Sequence, residues 1–234
     1  MALRAIIFDV DGTLAETEQA HRRAFNQAFA EAGQPWHWSD RDYAALLTTT
    51  GGRERIARYR MELGLPADPA AVEALHRRKN ALYAQSVAAG AIAPRPGVTR
   101  LMQACRDSRV TMAIATTTSR ANLIALLDHT FAPGAAGWFA AMVTGEDVSA
   151  KKPDPAVYRQ VLANLSLQPA ACVAIEDSHA GLTAARACGI ATVITRSHYT
   201  AAHDFTGAAL VCDTLDDDGA GDPVTVARLA TLAG

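Results

Sequence analysis

Two aspartates, Asp9 and Asp11, directly follow a short apolar segment near the start of the chain. Because one residue separates them, their side chains point to the same side wherever the backbone stays extended. Two carboxylates this close repel each other, so the pair indicates a bound cation, a retained proton or both. A strand that ends in an ordinary Asp-Gly turn is the alternative, and the pair alone leaves both readings open.

Three further groups of polar residues occur along the chain: Thr116 with Thr117 and Glu176 with Asp177 each follow an apolar segment, and Lys152 lies in the segment between them. Each group by itself has an ordinary explanation as a helix cap or a solvated charge. Together, hydroxyls, a lysine and two acidic pairs at one edge of a sheet are what a magnesium-assisted phosphate site requires. The combination therefore favours a catalytic site over an Asp-Gly turn.

The elements that must position these residues alternate between strands and helices. Apolar segments predict strands at 5–8, 110–115, 140–143, 171–175, 190–194 and 208–211, and helices at 120–127, 154–165 and 178–188. Such alternation predicts an α/β fold with a Rossmann-like, doubly wound parallel sheet. Ligands bind at the carboxyl ends of the strands in such sheets, which is where the polar groups lie.

A helical insertion separates the first predicted strand from the second. Apolar residues recur at helical spacing from 16 to about 90, and no convincing strand appears there. Pro94, Pro96 and Gly97 then indicate a linker back to the first domain. We therefore expect a core domain at 1–15 and 93–234 and a helical cap domain at 16–92, with 130–138 as a surface loop.

Composition excludes several classes of protein. The chain has 234 residues, of which 50% are hydrophobic, and a formal net charge of -2, so we expect neither a nucleic-acid partner nor a membrane partner. Its four cysteines are far apart and have apolar neighbours, which favours buried free thiols. With no predicted signal peptide or spanning segment, we expect a cytoplasmic protein. A monomer is expected for a compact two-domain protein of this size.

The motifs together resemble those of the haloacid dehalogenase superfamily. The resemblance rests on Asp9-Val10-Asp11-Gly12-Thr13, Thr116, Lys152-Pro153 and Glu176-Asp177, which occur in the order and strand contexts of that superfamily's four motifs. The insertion resembles the small helical cap of its β-phosphoglucomutase branch. Within that branch, Ala15-Glu16-Thr17-Glu18-x-x-His21 is most similar to the CbbY-type sugar bisphosphate phosphatases.

The resemblance implies a role for each core residue. Asp9 is expected to be the nucleophile that forms an aspartyl-phosphate, and Asp11 the general acid and base, which requires a raised pKa. A Mg²⁺ cofactor is expected on the Asp9 carboxylate, the Asp11 backbone carbonyl and the Asp177 carboxylate, with Glu176 reaching it through water. Thr116 and Lys152 are expected to hold the phosphoryl oxygens.

Cap residues are expected to select a small phosphorylated sugar. An Arg after two glycines suits a second, distal phosphate, because backbone amides and a guanidinium can bind it together. An acid beside His21 in the first cap helix suits the hydroxyls of an open-chain sugar. The expected substrate-binding residues are Glu18, His21, Tyr43, Gly51, Gly52, Arg53, Lys79, Thr116, Thr117 and Lys152.

Several activities fit these motifs. The CbbY-type resemblance implies a Mg²⁺-dependent hydrolase that converts xylulose-1,5-bisphosphate, an inhibitory sugar of carbon fixation, to a pentulose 5-phosphate. A β-phosphoglucomutase-like mutase and a phosphoglycolate-type phosphatase remain alternatives, because both share the core motifs. A noncatalytic binding protein is disfavoured, because both Asp9 and Asp11 are present.

Overall fold

A six-stranded parallel sheet forms the centre of the protein, whose computed structural model describes residues 2–234. Its strands are Ala5–Phe8 (β1), Thr111–Ala115 (β2), Ala141–Val143 (β3), Cys172–Glu176 (β4), Ala191–Thr195 (β5) and Leu210–Cys212 (β6). The spatial order is β3-β2-β1-β4-β5-β6, with β1 paired in parallel to β2 and β4. All four residues of β1 are buried, as expected for a strand covered on both faces. The predicted doubly wound α/β fold is confirmed.

Nine α-helices occur in the described part of the chain. They are Glu18–Glu31 (α1), Asp40–Leu46 (α2), Gly52–Glu62 (α3), Pro69–Ala88 (α4), Val98–Asp107 (α5), Arg120–Thr130 (α6), Ala156–Leu165 (α7), His179–Ala187 (α8) and Val226–Ala230 (α9). Helices α1 to α4 follow β1 in the chain and pack on one another, and they are called the cap below. Helix α5 precedes β2, and the remaining helices follow strands. These helices cover the two faces of the sheet, which leaves the carboxyl ends of the strands facing the cap.

Side-chain caps stabilise the first turns of two cap helices, and an aromatic cluster packs the cap helices together. Ser39 and Asp42 form a capping box at the start of α2, and the Asp68 side chain accepts a hydrogen bond from the Ala71 amide in the first turn of α4. The cluster buries Phe25, Phe29, Trp36, Trp38, Tyr43, Leu46, Ile56, Val72 and Leu75. Aromatic side chains bury large areas each, so this cluster, which has members in all four cap helices, holds those helices together.

Several predicted elements differ from the structure. Helix α5 was not predicted because Pro94 to Gly97 indicated a linker, although its buried residues follow the i, i+3, i+4, i+7 spacing of an amphipathic helix. Helix α9 was also missed. Segment 130–138, expected as a loop, contains the end of α6 and a short 3-10 helix, Ala135–Trp138. Helix α7 begins at Ala156, because the Asp154 side chain binds the amide of that residue.

The state of the cysteines and the character of the helices can be compared with what the sequence predicted. The four cysteines are free; three are buried and Cys188 is partly exposed. Burial raises the pKa of each thiol, and the pKa of Cys105 reaches about 12. Between residues 2 and 234, none of the helices combines the length and the apolar character that crossing a bilayer requires.

Candidate active site

One cavity of about 580 Å³ opens between the carboxyl ends of the strands and the cap. Most of the residues predicted to bind substrate or phosphate line it. They are Asp9, Asp11, Glu18, His21, Gly51, Gly52, Lys79, Thr116, Thr117, Lys152 and Asp177. The parallel topology explains the convergence, because β1, β2 and β4 are neighbours and deliver their C-terminal residues to the same edge.

The Lys152 ammonium group links the carboxyl ends of the three central strands. Its Nζ donates hydrogen bonds to Asp9 Oδ1 at 2.6 Å, to Glu176 Oε1 at 2.6 Å and to the Ala115 carbonyl at 2.8 Å. An ammonium group has three donors, so these bonds use all of them and fix its position. Burial alone lowers the pKa of Lys152, but the two carboxylates raise it above its usual value, so the group is charged.

Glu176 lies away from the cavity surface, on the far side of Lys152. It is fully buried, and its Oε1 also accepts a hydrogen bond from the Tyr158 hydroxyl at 2.6 Å. A side chain at Gly181 would collide with the Glu176 carboxylate, which therefore packs directly on the backbone of α8. The contacts of Glu176 are those of a residue that holds Lys152, whereas the sequence predicted a water-mediated metal ligand.

A cluster of three carboxylates can hold a cation. Asp9, Glu176 and Asp177 each offer an oxygen, and these oxygens lie within 4.8 Å of one another. Glu176 Oε2 is buried and has no hydrogen-bond partner among the described residues. Burial raises the pKa of Asp177 well above its usual value and that of Asp9 to about 8, although Lys152 opposes the shift at Asp9. Since a divalent cation would favour the ionised forms, this all-oxygen donor set fits a hard ion such as Mg²⁺.

Asp11 is held by two side chains of the cap region. Its Oδ1 accepts hydrogen bonds from the Thr17 hydroxyl at 2.5 Å and from His21 Nε2 at 3.1 Å. Lys79 Nζ lies 2.8 Å from His21 Nδ1. When Lys79 is protonated it can only donate, and the neutral imidazole then carries its proton on Nε2. Burial alone would raise the pKa of Asp11, but His21 and Thr17 together lower it to about 2. The expected raised pKa is therefore wrong for this arrangement of side chains.

Two predicted substrate residues lie outside the cavity. Arg53 forms an ion pair with Glu73 at 3.0 Å on the cap surface, where its side chain is 47% exposed. Arg55 lines the cavity in its place. On an α-helix, residues two positions apart point in directions about 200° apart, so only one of this pair can face the cavity. Tyr43 is fully buried and does not line the cavity.

Tyr43 instead orients two residues that do line the cavity. Its hydroxyl donates to Glu18 Oε2 at 2.5 Å and accepts from Arg55 Nη1 at 2.9 Å. The tyrosine ring lies in the aromatic cluster of the cap, next to Phe25 and Trp38. The aromatic cluster thus positions the Glu18 carboxylate and the Arg55 guanidinium at the cavity, although Tyr43 itself does not line it.

Further contacts that the sequence did not reveal join the cap to the sheet edge. The Thr50 hydroxyl donates to the Lys152 carbonyl at 2.6 Å, and Lys151 forms an ion pair with Glu54 at 2.6 Å. These residues lie about 100 positions apart in the chain. The adjacent residues Lys151 and Lys152 were the sequence feature that could have indicated these contacts. The partner of each lysine, however, depends on the tertiary fold.

The cavity extends beyond the predicted residues toward α8 and the segment after β5. Ser178, His179, Thr183, Thr200, His203 and Asp204 line this part. The His179 amide donates to His203 Nδ1 at 3.3 Å, so the two histidines are held together. Sequence reasoning missed His203 and Thr200, because no motif accompanies them and they follow β5 rather than a motif-bearing strand.

Comparisons with known proteins agree with this arrangement. A family model described as haloacid dehalogenase-like hydrolase matches residues 3–189. Protein CbbY of Rhodobacter capsulatus is 49% identical over 208 residues, which cover 89% of this chain and 92% of that protein. The crystal structure of CbbY from Rhodobacter sphaeroides in complex with phosphate has a TM-score of 0.88 and 41% identity, covering 93% of this chain and 96% of the other. A mutant of that protein in complex with xylulose-(1,5)bisphosphate has a TM-score of 0.87 at 41% identity, covering 91% and 94% of the two chains.

Proposed function

Because this chain belongs to the haloacid dehalogenase-like hydrolase family and is a sugar phosphatase, we propose that it hydrolyses xylulose-1,5-bisphosphate with Mg²⁺ as cofactor. The observation that carries the proposal is the single cavity in which Asp9, Asp11, Lys152 and Asp177 meet the cap residue Glu18. The first four residues provide the groups that phosphoryl transfer needs. Glu18 provides a carboxylate that can accept hydrogen bonds from sugar hydroxyls. The complex of the 41% identical CbbY with xylulose-(1,5)bisphosphate supports the choice of sugar.

Asp9 is the proposed nucleophile. Lys152 donates a hydrogen bond to its Oδ1, which leaves Oδ2 to attack phosphorus. Attack forms an aspartyl-phosphate and releases the sugar oxygen, and water then hydrolyses the acyl phosphate, so one difficult displacement becomes two easier ones. Thr116, which is buried at the end of β2, and Lys152 hold the phosphoryl oxygens and offset their negative charge.

Asp11 is the proposed proton donor and acceptor. It protonates the leaving sugar oxygen in the first step and accepts a proton from water in the second. Its low pKa reflects the bonds to Thr17 and His21, so Asp11 holds a proton poorly while those bonds persist. We propose that substrate binding draws His21 toward the sugar, and that the incoming phosphate then raises the pKa of Asp11.

The proposed Mg²⁺ site uses groups from β1 and β4. The Asp9 carboxylate, the Asp11 backbone carbonyl and the Asp177 carboxylate would hold the ion, with Glu176 acting through water or through Lys152. When bound, Mg²⁺ would neutralise charge on the phosphoryl oxygens and keep Asp9 ionised. The spacing of the carboxylate oxygens, within 4.8 Å, supports this donor set.

The cap is proposed to recognise the sugar and the far phosphate. Arg55, His21 and Lys79 bring positive or hydrogen-bonding groups to the cavity, and Gly51 with Gly52 leaves room for close approach. We propose Arg55 in place of Arg53 for the far phosphate, because Arg55 lines the cavity. A short sugar with a phosphate at each end would contact the sheet edge with one phosphate and the cap with the other. This arrangement favours a bisphosphate over a monophosphate as the substrate.

We propose two domains. Residues 1–15 and 93–234 form the core domain, and residues 16–92 form the cap domain. An antiparallel bridge joins Ala15 to Pro94, so the two crossings between cap and core lie side by side. The Arg95 amide also donates to the Leu14 carbonyl at 2.9 Å. A cytoplasmic location and a monomeric state remain predictions from the sequence.

The test compares two substrates under the same conditions. With Mg²⁺ and xylulose-1,5-bisphosphate, we expect release of one inorganic phosphate per sugar and no activity in Asp9→Asn. With β-glucose-1-phosphate, we expect little glucose-6-phosphate. Conversion to glucose-6-phosphate at a higher rate than phosphate release would instead establish a mutase, and activity retained in Asp9→Asn would refute the nucleophile.

A further inference from the structure

Two hydroxyl groups from the segment after β5 bind one oxygen of Asp177. The Ser197 hydroxyl donates to Asp177 Oδ2 at 2.8 Å, and the Thr200 hydroxyl lies 3.2 Å from the same oxygen. Ser197 and Thr200 are themselves joined, because the Ser197 amide donates to Thr200 Oγ1 at 3.2 Å and the two hydroxyl oxygens lie 2.9 Å apart. All three residues are buried. This local loop holds both hydroxyls on the same carboxylate oxygen.

The backbone of Gly12 closes the remaining side of that oxygen. Gly12 has a φ of +79°, and a Cβ atom at this position would collide with Asp177 Oδ2 and approach Ser197 Oγ. Asp177 Oδ2 therefore lies in a cradle formed by one glycine and two hydroxyls. No hydrogen bond from any residue between 2 and 234 reaches Asp177 Oδ1, and Asp177 lines the cavity that also contains Asp9.

We propose that Ser197 and Thr200 are positioning residues that make Asp177 a one-oxygen ligand and thereby favour Mg²⁺ over Ca²⁺. The inference rests on the proposed function, because it takes Asp177 as a ligand of that ion. With Oδ2 bound to two hydroxyls and covered by Gly12, only Oδ1 is free for a cation. A carboxylate restrained in this way cannot rotate to offer both oxygens.

The two ions differ in what they require of a carboxylate. Mg²⁺ takes six ligands in a near-ideal octahedron, at about 2.0–2.1 Å, and is bound by single carboxylate oxygens and water. Ca²⁺ takes about 6–8 oxygens at longer distances and often accepts both oxygens of one carboxylate. Hydrogen bonds to a ligating side chain commonly change metal affinity by about 10–100-fold. Removing the two hydroxyls should therefore weaken Mg²⁺ binding and improve the relative binding of Ca²⁺.

The experiment measures metal binding in the absence of substrate. Free Mn²⁺ is followed by electron paramagnetic resonance in the full-length protein, and Mg²⁺ or Ca²⁺ is added to displace it. The variants are Ser197→Ala, Thr200→Val and the double variant, with Thr200→Ser as a conservative change that keeps the hydroxyl. The matched control is Thr192→Val, which removes a buried hydroxyl of β5 whose one hydrogen bond within residues 2–234 goes to the Ile190 carbonyl.

We expect the double variant to bind Mg²⁺ about 10-fold more weakly or worse, with a smaller loss for Ca²⁺, so that the Ca²⁺ to Mg²⁺ affinity ratio rises. The Ca²⁺ to Mg²⁺ affinity ratio of Thr200→Ser and of Thr192→Val should stay near that of the original protein. An unchanged or lower ratio in both single variants and the double variant would overturn the inference. If the double variant does not fold, the single variants decide. Failure of the unaltered protein to bind any of the three ions would refute the proposed cofactor as well, which distinguishes the two failures.

Discussion

Replacing Tyr43 with Phe should weaken both the cap and the binding of substrate. The hydroxyl donates to Glu18 Oε2 at 2.5 Å and accepts from Arg55 Nη1 at 2.9 Å, and the residue is fully buried. Burial and the Glu18 carboxylate raise the pKa of Tyr43 well above its usual value, so the phenol remains a donor at any practical assay pH. Phe keeps the ring in the aromatic cluster and removes only these two bonds.

The expected loss follows from the charge on both partners. Hydrogen bonds to charged groups contribute about 1.5–3 kcal/mol each, so two bonds at the lower limit predict a loss of about 3 kcal/mol in the free energy of unfolding. Urea denaturation followed by tryptophan fluorescence measures it, because Trp36 and Trp38 lie in the same cluster. Since Glu18 loses its anchor, the KM for the sugar bisphosphate should rise about tenfold, which is about 1.4 kcal/mol of binding.

Tyr59→Phe is the matched control for this change. Tyr59 packs edge-on against Trp36 and Trp38, and its hydroxyl forms no hydrogen bond within the described residues. The free energy of unfolding of this variant should fall by less than about 0.5 kcal/mol, because the change removes no hydrogen bond within the described residues. Equal unfolding free energies and equal KM values for Tyr43→Phe and Tyr59→Phe would refute the idea that the Tyr43 hydroxyl holds Glu18 and Arg55.

Three further changes test the charges and the backbone of the site. Lys152→Met leaves the buried Glu176 carboxylate without its cation, so thermal unfolding should show a loss of about 3–5 kcal/mol, and a change below 1 kcal/mol would contradict it. Gly12→Ala places a methyl group against Asp177 at a φ of +79°, so calorimetry should show weaker Mn²⁺ binding together with a lower Tm, and unchanged values would contradict it. Burial lowers the folded-state pKa of Lys79 to about 7, below its unfolded value of about 10.4, so Lys79 destabilises the fold below pH 7 and this effect is lost as pH rises toward 10. The unfolding free energy of Lys79→Met minus that of the original protein should therefore decrease from pH 6 to pH 9, and a flat difference would contradict the buried, shifted amine.

The sheet and the polar groups at its edge were predictable because their signals are local. Buried strands such as β1 and β4 consist of continuous apolar residues, and each ends directly at its motif. The parallel topology then places Asp9, Lys152 and Asp177 together without further information. Helix α5 escaped prediction although its pattern is helical, because the Pro-rich segment before it indicated a linker. Its amphipathic spacing was the signal to follow.

The cap side of the site depends on orientation, which local patterns specify weakly. The two glycines before Arg53 favoured that residue in sequence, but the rotation of α3 about its axis sends Arg53 to Glu73 and Arg55 to the cavity. Tyr43 was expected to touch the sugar. The aromatic cluster instead buries its ring and turns its hydroxyl toward Glu18, because burying the ring removes the most apolar surface from water.

By itself, the sequence determined the fold class, the family and the four polar motifs that the structure brings to one cavity, because each strand and each motif is specified by residues close together in the chain. Only the tertiary structure decided the protonation of Asp11 and the restraint on Asp177. The pKa of Asp11 depends on contacts with Thr17 and His21, and Asp177 is held by Ser197, 20 residues away. Electrostatic and hydrogen-bonding effects act over a few ångströms in space, so they follow from the packing of segments that the chain keeps apart.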